Sequence, residues 1–174
     1  MDLDLKVTSK EINEILWRNH KTLSVAESCT AGRIASVITT VPGSSQYFKG
    51  GLIAYADEVK TNLLKVDASV IEEKSPVCEE VVTQMVKGAL DLFESDYAVA
   101  ISGFAGPGGA ENGKNAVTVG TIWIAVGNSE RVVSTMLEED NGRDKNLASA
   151  TNVAIHLLLD FLKEDFCEPN EVNS

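Results

Sequence analysis

The chain predicts a three-layer α/β/α sandwich on one mixed, mostly parallel sheet, and three observations predict it. Short apolar runs alternate with helical periodicity through about residue 102. Two β-rich runs then flank the turn Gly127-Asn128-Ser129-Glu130, a pattern that reads as an antiparallel hairpin. A long amphipathic stretch follows. Alternating strands and helices build parallel strands covered on both faces, and the hairpin adds an antiparallel member.

Thr8-x-x-Glu11 has capping-box spacing, and Ile12, Ile15 and Leu16 follow at helical intervals, so a helix is expected from about residue 8 to 19. Residues 22–26 form the first strand. The second helix covers 30–39 and is stopped by Val41-Pro42-Gly43. Residues 50–55 read as a second strand with glycines at its start, 57–64 as a short helix carrying Lys60, and 69–73 as a further helical piece. The helix over 79–94 has the plainest core stripe, with Val82, Met85, Val86, Ala89 and Phe93 on one face. A compact apolar strand at 97–102 runs into Gly103-Phe104-Ala105-Gly106-Pro107-Gly108-Gly109, too glycine-rich for helix or strand. The hairpin strands are 119–126 and 131–137. The last helix spans 144–163, with Leu147, Ala150, Ala154, Leu157, Leu158 and Phe161 facing inward. No repeat or linker divides the chain, so residues 1–164 are expected to form a single domain and the acidic residues 165–174 a disordered tail.

Composition narrows the function. The 174 residues, 44% hydrophobic and 24% charged, suit a globular domain whose core needs no disulfides. A net charge of −11 argues against a nucleic-acid partner, because a phosphate backbone demands a basic face. It leaves room for a small anionic substrate held by one or two local cations. No apolar run is long enough to span a membrane, and Met1-Asp2-Leu3-Asp4 is not a secretory leader, so a cytoplasmic protein without a membrane partner is expected. Cys29, Cys78 and Cys167 are odd in number and lack metal-ligand spacing, which fits a reducing compartment. With only His20 and His156, a histidine metal site or a Ser-His-Asp triad is poorly supplied.

The stretch Val25-Ala26-Glu27-Ser28-Cys29-Thr30-Ala31-Gly32 places a hydroxyl and a thiol at a strand-to-helix junction. Free backbone N–H groups and the positive end of a helix dipole converge at such a point. Ser28 reads there as a nucleophile or as a helix N-cap, a position Thr30 fills equally well. Cys29 is a rival nucleophile or a small core residue. With histidine scarce, a serine needs Lys or Tyr as its base. Tyr55 and Lys60 flank a second strand-to-helix junction, where the alternatives are a half-buried strand tyrosine and a solvated helix lysine. Gly108-x-x-x-x-Gly113-Lys114 has P-loop spacing, but Asn115 replaces the magnesium-binding hydroxyl and a strand follows, so an NTPase is excluded. The glycines of 103–109 still allow close backbone approach to a ligand, as a wall or an oxyanion-binding turn. Arg143 is either a solvated turn residue or a two-pronged anion clamp. The acidic pairs, Asp57-Glu58 among them, read as solvated surface.

Taken together these segments are familiar. Ala26-Glu27-Ser28-Cys29-Thr30-Ala31-Gly32 resembles the AESCTGG signature of the CinA C-terminal domain family, the nicotinamide-nucleotide amidases. Val41-Pro42-Gly43-Ser44-Ser45 resembles its PGSS. The run Gly50-Gly51-Leu52-Ile53-Ala54-Tyr55-Ala56-Asp57-Glu58-Val59-Lys60 resembles GGxxxYSNEAK. Ser102-Gly103-Phe104-Ala105-Gly106-Pro107-Gly108-Gly109 resembles SGIAGPxGG, and Val119-Gly120-Thr121 resembles VGT. The resemblance spans about residues 10–163.

The resemblance implies the same α/β/α fold and hydrolysis of nicotinamide mononucleotide to nicotinate mononucleotide and ammonia, in NAD salvage. It implies no metal and no cofactor, a pyridine nucleotide as the small-molecule partner, and a homo-oligomer. By motif position Ser28 is the expected nucleophile, Lys60 its base and Tyr55 an assistant. Thr30, Gly32, Ser102, Gly103 and Gly106 are expected to line the substrate, Arg143 to meet the phosphate, and N–H groups near 30–32 to hold the oxyanion. A silent pyridine-nucleotide-binding paralogue and a competence- or damage-response regulator are the rival functions. The chain departs from the family pattern at Ala31, a family glycine. It departs again at Cys78, where the family's GAVS has serine, and in the loop after Gly113, which is longer than EKPVGTV and lacks its proline. The additional N-terminal domain of longer CinA-type proteins is not expected.

Overall fold

The computed structural model describes residues 3–108 and 117–166. In chain order the elements are α1 (Leu3–Arg18), β1 (Leu23–Glu27), α2 (Arg33–Thr39), a 3-10 turn (Ser44–Gln46), β2 (Phe48–Ile53), α3 (Asp57–Leu64), α4 (Ala68–Lys74) and α5 (Glu79–Phe93). They continue with β3 (Tyr97–Gly103), β4 (Ile122–Gly127), β5 (Val132–Leu137) and α6 (Arg143–Phe166). One sheet runs β2-β1-β3-β4-β5. β1 pairs in parallel with both β2 and β3, and β4 pairs antiparallel with β3 and β5. β4 is therefore the one reversed strand of a mixed α/β/α sandwich, as the hairpin reading expects.

The strand alternation sorts large and small side chains to opposite faces. Leu23, Val25, Val99, Ile101, Ile122, Ile124 and Val126 pack with α1, α2 and α6. Ala26, Ala98, Ala100 and Ala125 face α5, α3 and α4. With little more than methyl groups beneath it, α5 lies close to the sheet through Val82, Met85, Val86 and Ala89. α3 is held just as closely, since a Cβ on Gly88 would fall 2.0 Å from the Leu64 carbonyl oxygen.

Several boundaries differ from the sequence expectation, each for a tertiary reason. α1 starts at Leu3, so Thr8 lies inside the helix rather than capping it. Its first turn is drawn into the helix by α6. Thr8 Oγ1 donates to the Asp4 carbonyl (3.0 Å), and His156 Nε2 sits 3.1 Å from the Asp4 carboxylate. β4 begins only at Ile122, because Gly120 takes a left-handed turn (φ +91°) against the backbone of Glu139. α6 runs on to Phe166. Asp165, placed by the sequence reading in the tail, accepts from Tyr97 Oη and Arg131 Nη2, both at 2.8 Å. The rest of that tail, and Gly113, Lys114, Asn115 and Cys167, lie outside the described residues. Among the described residues no helix is long and apolar enough to cross a membrane.

Alanine normally stabilises a helix interior relative to glycine by about 1 kcal/mol. At Gly88 the order is expected to reverse: Gly88→Ala must push α3 away from α5 and lower stability by about 2 kcal/mol or more. Urea denaturation checks this, and a more stable variant would show that α3 is free to move.

Candidate active site

The C-terminal ends of β1 and β3 open into a cleft of about 280 Å³. Ligands of parallel α/β sheets bind at this edge, where adjacent connections leave in different directions. Ser28, Cys29, Tyr55, Asp57, Lys60, Ser102, Gly103, Gly106 and Arg143 line it, with Pro76, Val77 and Phe104 as apolar wall.

Ser28 is the first residue past β1. Its N–H donates to the Ile101 carbonyl (3.0 Å), so the β1–β3 ladder holds its backbone. Its hydroxyl has no hydrogen bond among the described residues, and the side chain faces the cleft. The conformation that follows is set by Glu27, only 1% exposed at the end of β1. Glu27 Oε2 accepts from Thr30 Oγ1 (2.6 Å), Gly32 N (3.0 Å) and Ile34 N (3.2 Å), and Oε1 accepts from Ala35 N (2.8 Å). A carboxylate thus takes the free N–H groups and the positive end of α2. That is why α2 starts at Arg33 rather than at residue 30 and why neither Ser28 nor Thr30 caps it by the usual geometry. Ala31 and Gly32 both take positive φ (48° and 97°) to close the turn. Ala31 carries there the steric cost that a glycine avoids.

This arrangement corrects two sequence expectations. Thr30 is buried with its hydroxyl on Glu27, and Gly32 has its N–H on the same carboxylate, so neither lines the cleft. Of the expected oxyanion donors near 30–32, the N–H groups of Ala31 and Gly32 are in use, on the Ser28 carbonyl and on Glu27. The N–H groups of Cys29 and Thr30 remain. They bear on the Cys29 sulfur and have no oxygen acceptor among the described residues.

Lys60 is buried (1% exposed) on the first turns of α3. Its Nζ donates to the Tyr55 carbonyl and to Asp57 Oδ1, each at 3.2 Å. No hydrogen bond joins it to Ser28 among the described residues. The Tyr55 ring stands at the mouth, 59% exposed. Ser102 Oγ donates to the Pro76 carbonyl (2.8 Å) and ties the segment before α5 to the end of β3. Arg143 Nη1 donates to the Gly106 carbonyl (2.6 Å). Beside it the buried Asn146 donates to the carbonyl of Ala105 (3.0 Å) and to Asp140 Oδ1 (3.0 Å).

Two residues of the site were missed by sequence reasoning. Asp57 read as solvated surface, yet it lines the cleft and pairs with Lys60. The available signal was its i,i+3 spacing to that lysine. Asn146 braces the glycine loop, and its only trace in the sequence is a polar residue beside the inward-facing Leu147.

The electrostatics of the turn disfavour Cys29 as a nucleophile. Burial pushes the Cys29 thiol up to about 12, and the nearby Glu27 carboxylate adds to the effect. The two N–H groups and Arg143 oppose it without reversing it. A thiol so raised is neutral near pH 7 and a poor nucleophile.

A family model described as the CinA C-terminal domain matches residues 5–162. A CinA-like protein of Cytophaga hutchinsonii is 36% identical over 153 residues, covering 88% of this chain and 36% of its own length. One of Mycobacterium marinum is 44% identical over 142 residues, covering 82% of this chain and 33% of its own. The chain thus spans about a third of the length of these curated relatives. Among solved structures, a competence-damaged protein (CinA) superfamily protein of Escherichia coli superposes with a TM-score of 0.85 at 27% identity, covering 92% of each chain.

Glu27→Ala would strand four donors around a buried void, so a loss of about 3 kcal/mol or more is expected. A loss below about 1 kcal/mol by denaturant titration would mean that water replaces the carboxylate. Cys29 is expected to resist iodoacetamide at pH 8 in the folded protein. It should react as pH approaches 12, or at pH 8 once urea unfolds the chain. Rapid labelling of the native protein at pH 8, read by peptide mass mapping, would contradict the raised thiol.

Proposed function

We propose, for a chain that belongs to the CinA C-terminal domain family, that it is an amidohydrolase converting nicotinamide mononucleotide to nicotinate mononucleotide and ammonia. One observation carries the reading. Ser28, Tyr55, Lys60, Ser102 and Arg143, expected on motif position from separate segments, line a single cleft at the C-terminal edge of the sheet.

The reading implies the following chemistry. Ser28 Oγ attacks the carboxamide carbon, and its proton passes to the Lys60 amine. Lys60 gives up one of its two present acceptors to meet Ser28. The carboxamide oxygen becomes an oxyanion, for which the N–H groups of Cys29 and Thr30 are the available donors. Collapse breaks the C–N bond, and the proton held by Lys60 leaves with ammonia. Water then attacks the Ser28 ester and frees the carboxylate. Tyr55 assists through its carbonyl, which orients Lys60. At the far end Arg143 exchanges the Gly106 carbonyl for a phosphate oxygen, a stronger charge-assisted partner. Thr30 and Gly32 serve indirectly, as donors that fix Glu27 and the turn.

A second reading has one observation in its favour. Lys60 is bound to Asp57 and Tyr55 rather than to Ser28, as a silent nucleotide-binding paralogue would allow. Competence-damage names among the relatives raise a regulatory role, against which the net charge of −11 opposes direct DNA contact.

Ammonia release from nicotinamide mononucleotide by the purified protein decides between them. The amidase reading expects turnover in the wild type, a fall of about 10³-fold or more in Ser28→Ala, and activity retained in Cys29→Ala. Nucleotide binding without ammonia release supports the silent paralogue. Activity lost only in Cys29→Ala would transfer the nucleophile to sulfur.

A further inference from the structure

The end of the cleft where Arg143 stands is built from two segments distant in sequence. One is the loop after β3 at Ala105 and Gly106, where Gly106 turns at φ +95°. The other is the turn 140–142, which delivers Arg143 to the start of α6. Arg143 is exposed and bridges the two segments through Nη1, which donates to the Gly106 carbonyl. In the reading above, that bond is given up when the phosphate arrives. A second bridge lies beside it and takes no part in the exchange. Asn146 is 4% exposed, and its Nδ2 donates to the Ala105 carbonyl and to Asp140 Oδ1, both at 3.0 Å. Its Oδ1 accepts from Asn141 N (2.9 Å). Asp140 Oδ1 also accepts from Gly142 N (3.0 Å), so the same contacts hold the turn in which Gly142 is left-handed (φ +90°).

We propose that Asn146 is a positioning residue for the substrate phosphate: it fixes the gap between Arg143 and the Gly106 carbonyl, so that the guanidinium can change partners without the two segments drifting apart. The inference rests on the amidase reading above and deepens it. The position calls for two donors and one acceptor on a short side chain. An ionised aspartate supplies no donor and would set a second carboxylate against Asp140. Leucine keeps the shape and leaves the Ala105 carbonyl and the Asn141 N–H without their partner, and glutamine is a methylene too long for so buried a site. Arg143 is a long side chain on an exposed turn, and every freedom it loses on meeting an anion weakens the binding. Asn146 is ordered when the chain folds, so the base of Arg143 is already in place when the phosphate enters.

The test measures kcat and KM for ammonia release on nicotinamide mononucleotide and on nicotinamide riboside, the same amide without the phosphate. The wild type is expected to prefer the mononucleotide. Asn146→Ala is expected to lower kcat/KM for the mononucleotide about tenfold, mostly through KM, and to leave the riboside within about twofold. Asp140→Ala removes an exposed side chain and spares the core, and is expected to shift the mononucleotide in the same direction by about threefold. In an Arg143→Ala background, Asn146→Ala is expected to add nothing, because the amide acts through that guanidinium. A brace that merely stabilised the domain would slow both amides alike and would add to Arg143→Ala. Equal losses on the two amides, an additive double variant, or an unchanged phosphate preference in Asp140→Ala and Asn146→Ala overturns the inference while leaving the amidase reading intact. Failure of the wild type to hydrolyse either amide overturns both.

Discussion

A buried carboxylate organises the turn that carries Ser28. Glu27 carries a charge at 1% exposure, a position tolerable only because four donors and the end of α2 surround it. The stabilisation comes with a geometric demand. Ala31 and Gly32 must take left-handed conformations, and α2 must begin three residues later than the polar run at 28–30 implies. In return, Ser28 is left facing the cleft with no hydrogen bond on its hydroxyl among the described residues. The positive end of α2, which sequence reasoning offers to the substrate, is satisfied internally.

The unequal faces of the sheet explain how Lys60 comes to be buried opposite this turn. Alanines at 26, 98, 100 and 125 let α5 sit low, and Gly88 lets the end of α3 rest on α5. α3 is thereby fixed along its length, and its first turns are pressed over the cleft. A lysine in that position cannot reach bulk water. It needs acceptors, and the carbonyl of Tyr55 and the carboxylate of Asp57 supply them. Packing at one end of a short helix thus dictates electrostatics at the other.

Much of this architecture was legible in the sequence. The short apolar runs and helical patterns located the strands and α-helices of the described residues, and α3 ends where they place it, because Asp57 and Leu64 mark a polar start and a buried stop. The gathering of Ser28, Tyr55, Lys60, Ser102 and Arg143 was legible through ordered motifs rather than through spacing. Illegible were the choices a polar side chain makes among partners distant in sequence or out of line with its helix. Thr8 has capping spacing but binds within α1 and toward α6. Thr30 and Gly32 sit in the signature yet serve Glu27. Asp57 resembles any solvated helix-start carboxylate until a buried lysine is found beside it.

β4 is paired antiparallel to β3, with Gly103 opposite Ile122. The two ends of the connection between them are held together, Phe104 N donating to the Thr121 carbonyl (2.9 Å) and Gly120 N to the Phe104 carbonyl (2.7 Å). Its length is not counted in the register of any strand. The register of β3 against β4 is set by the strands themselves, whereas the turn at Ser28 is fixed by the β1–β3 ladder and by Glu27. The fold separates the part of the site that natural variation can rewrite from the part it must copy, and ligand preference is expected to diverge between relatives along that connection while the reaction stays the same.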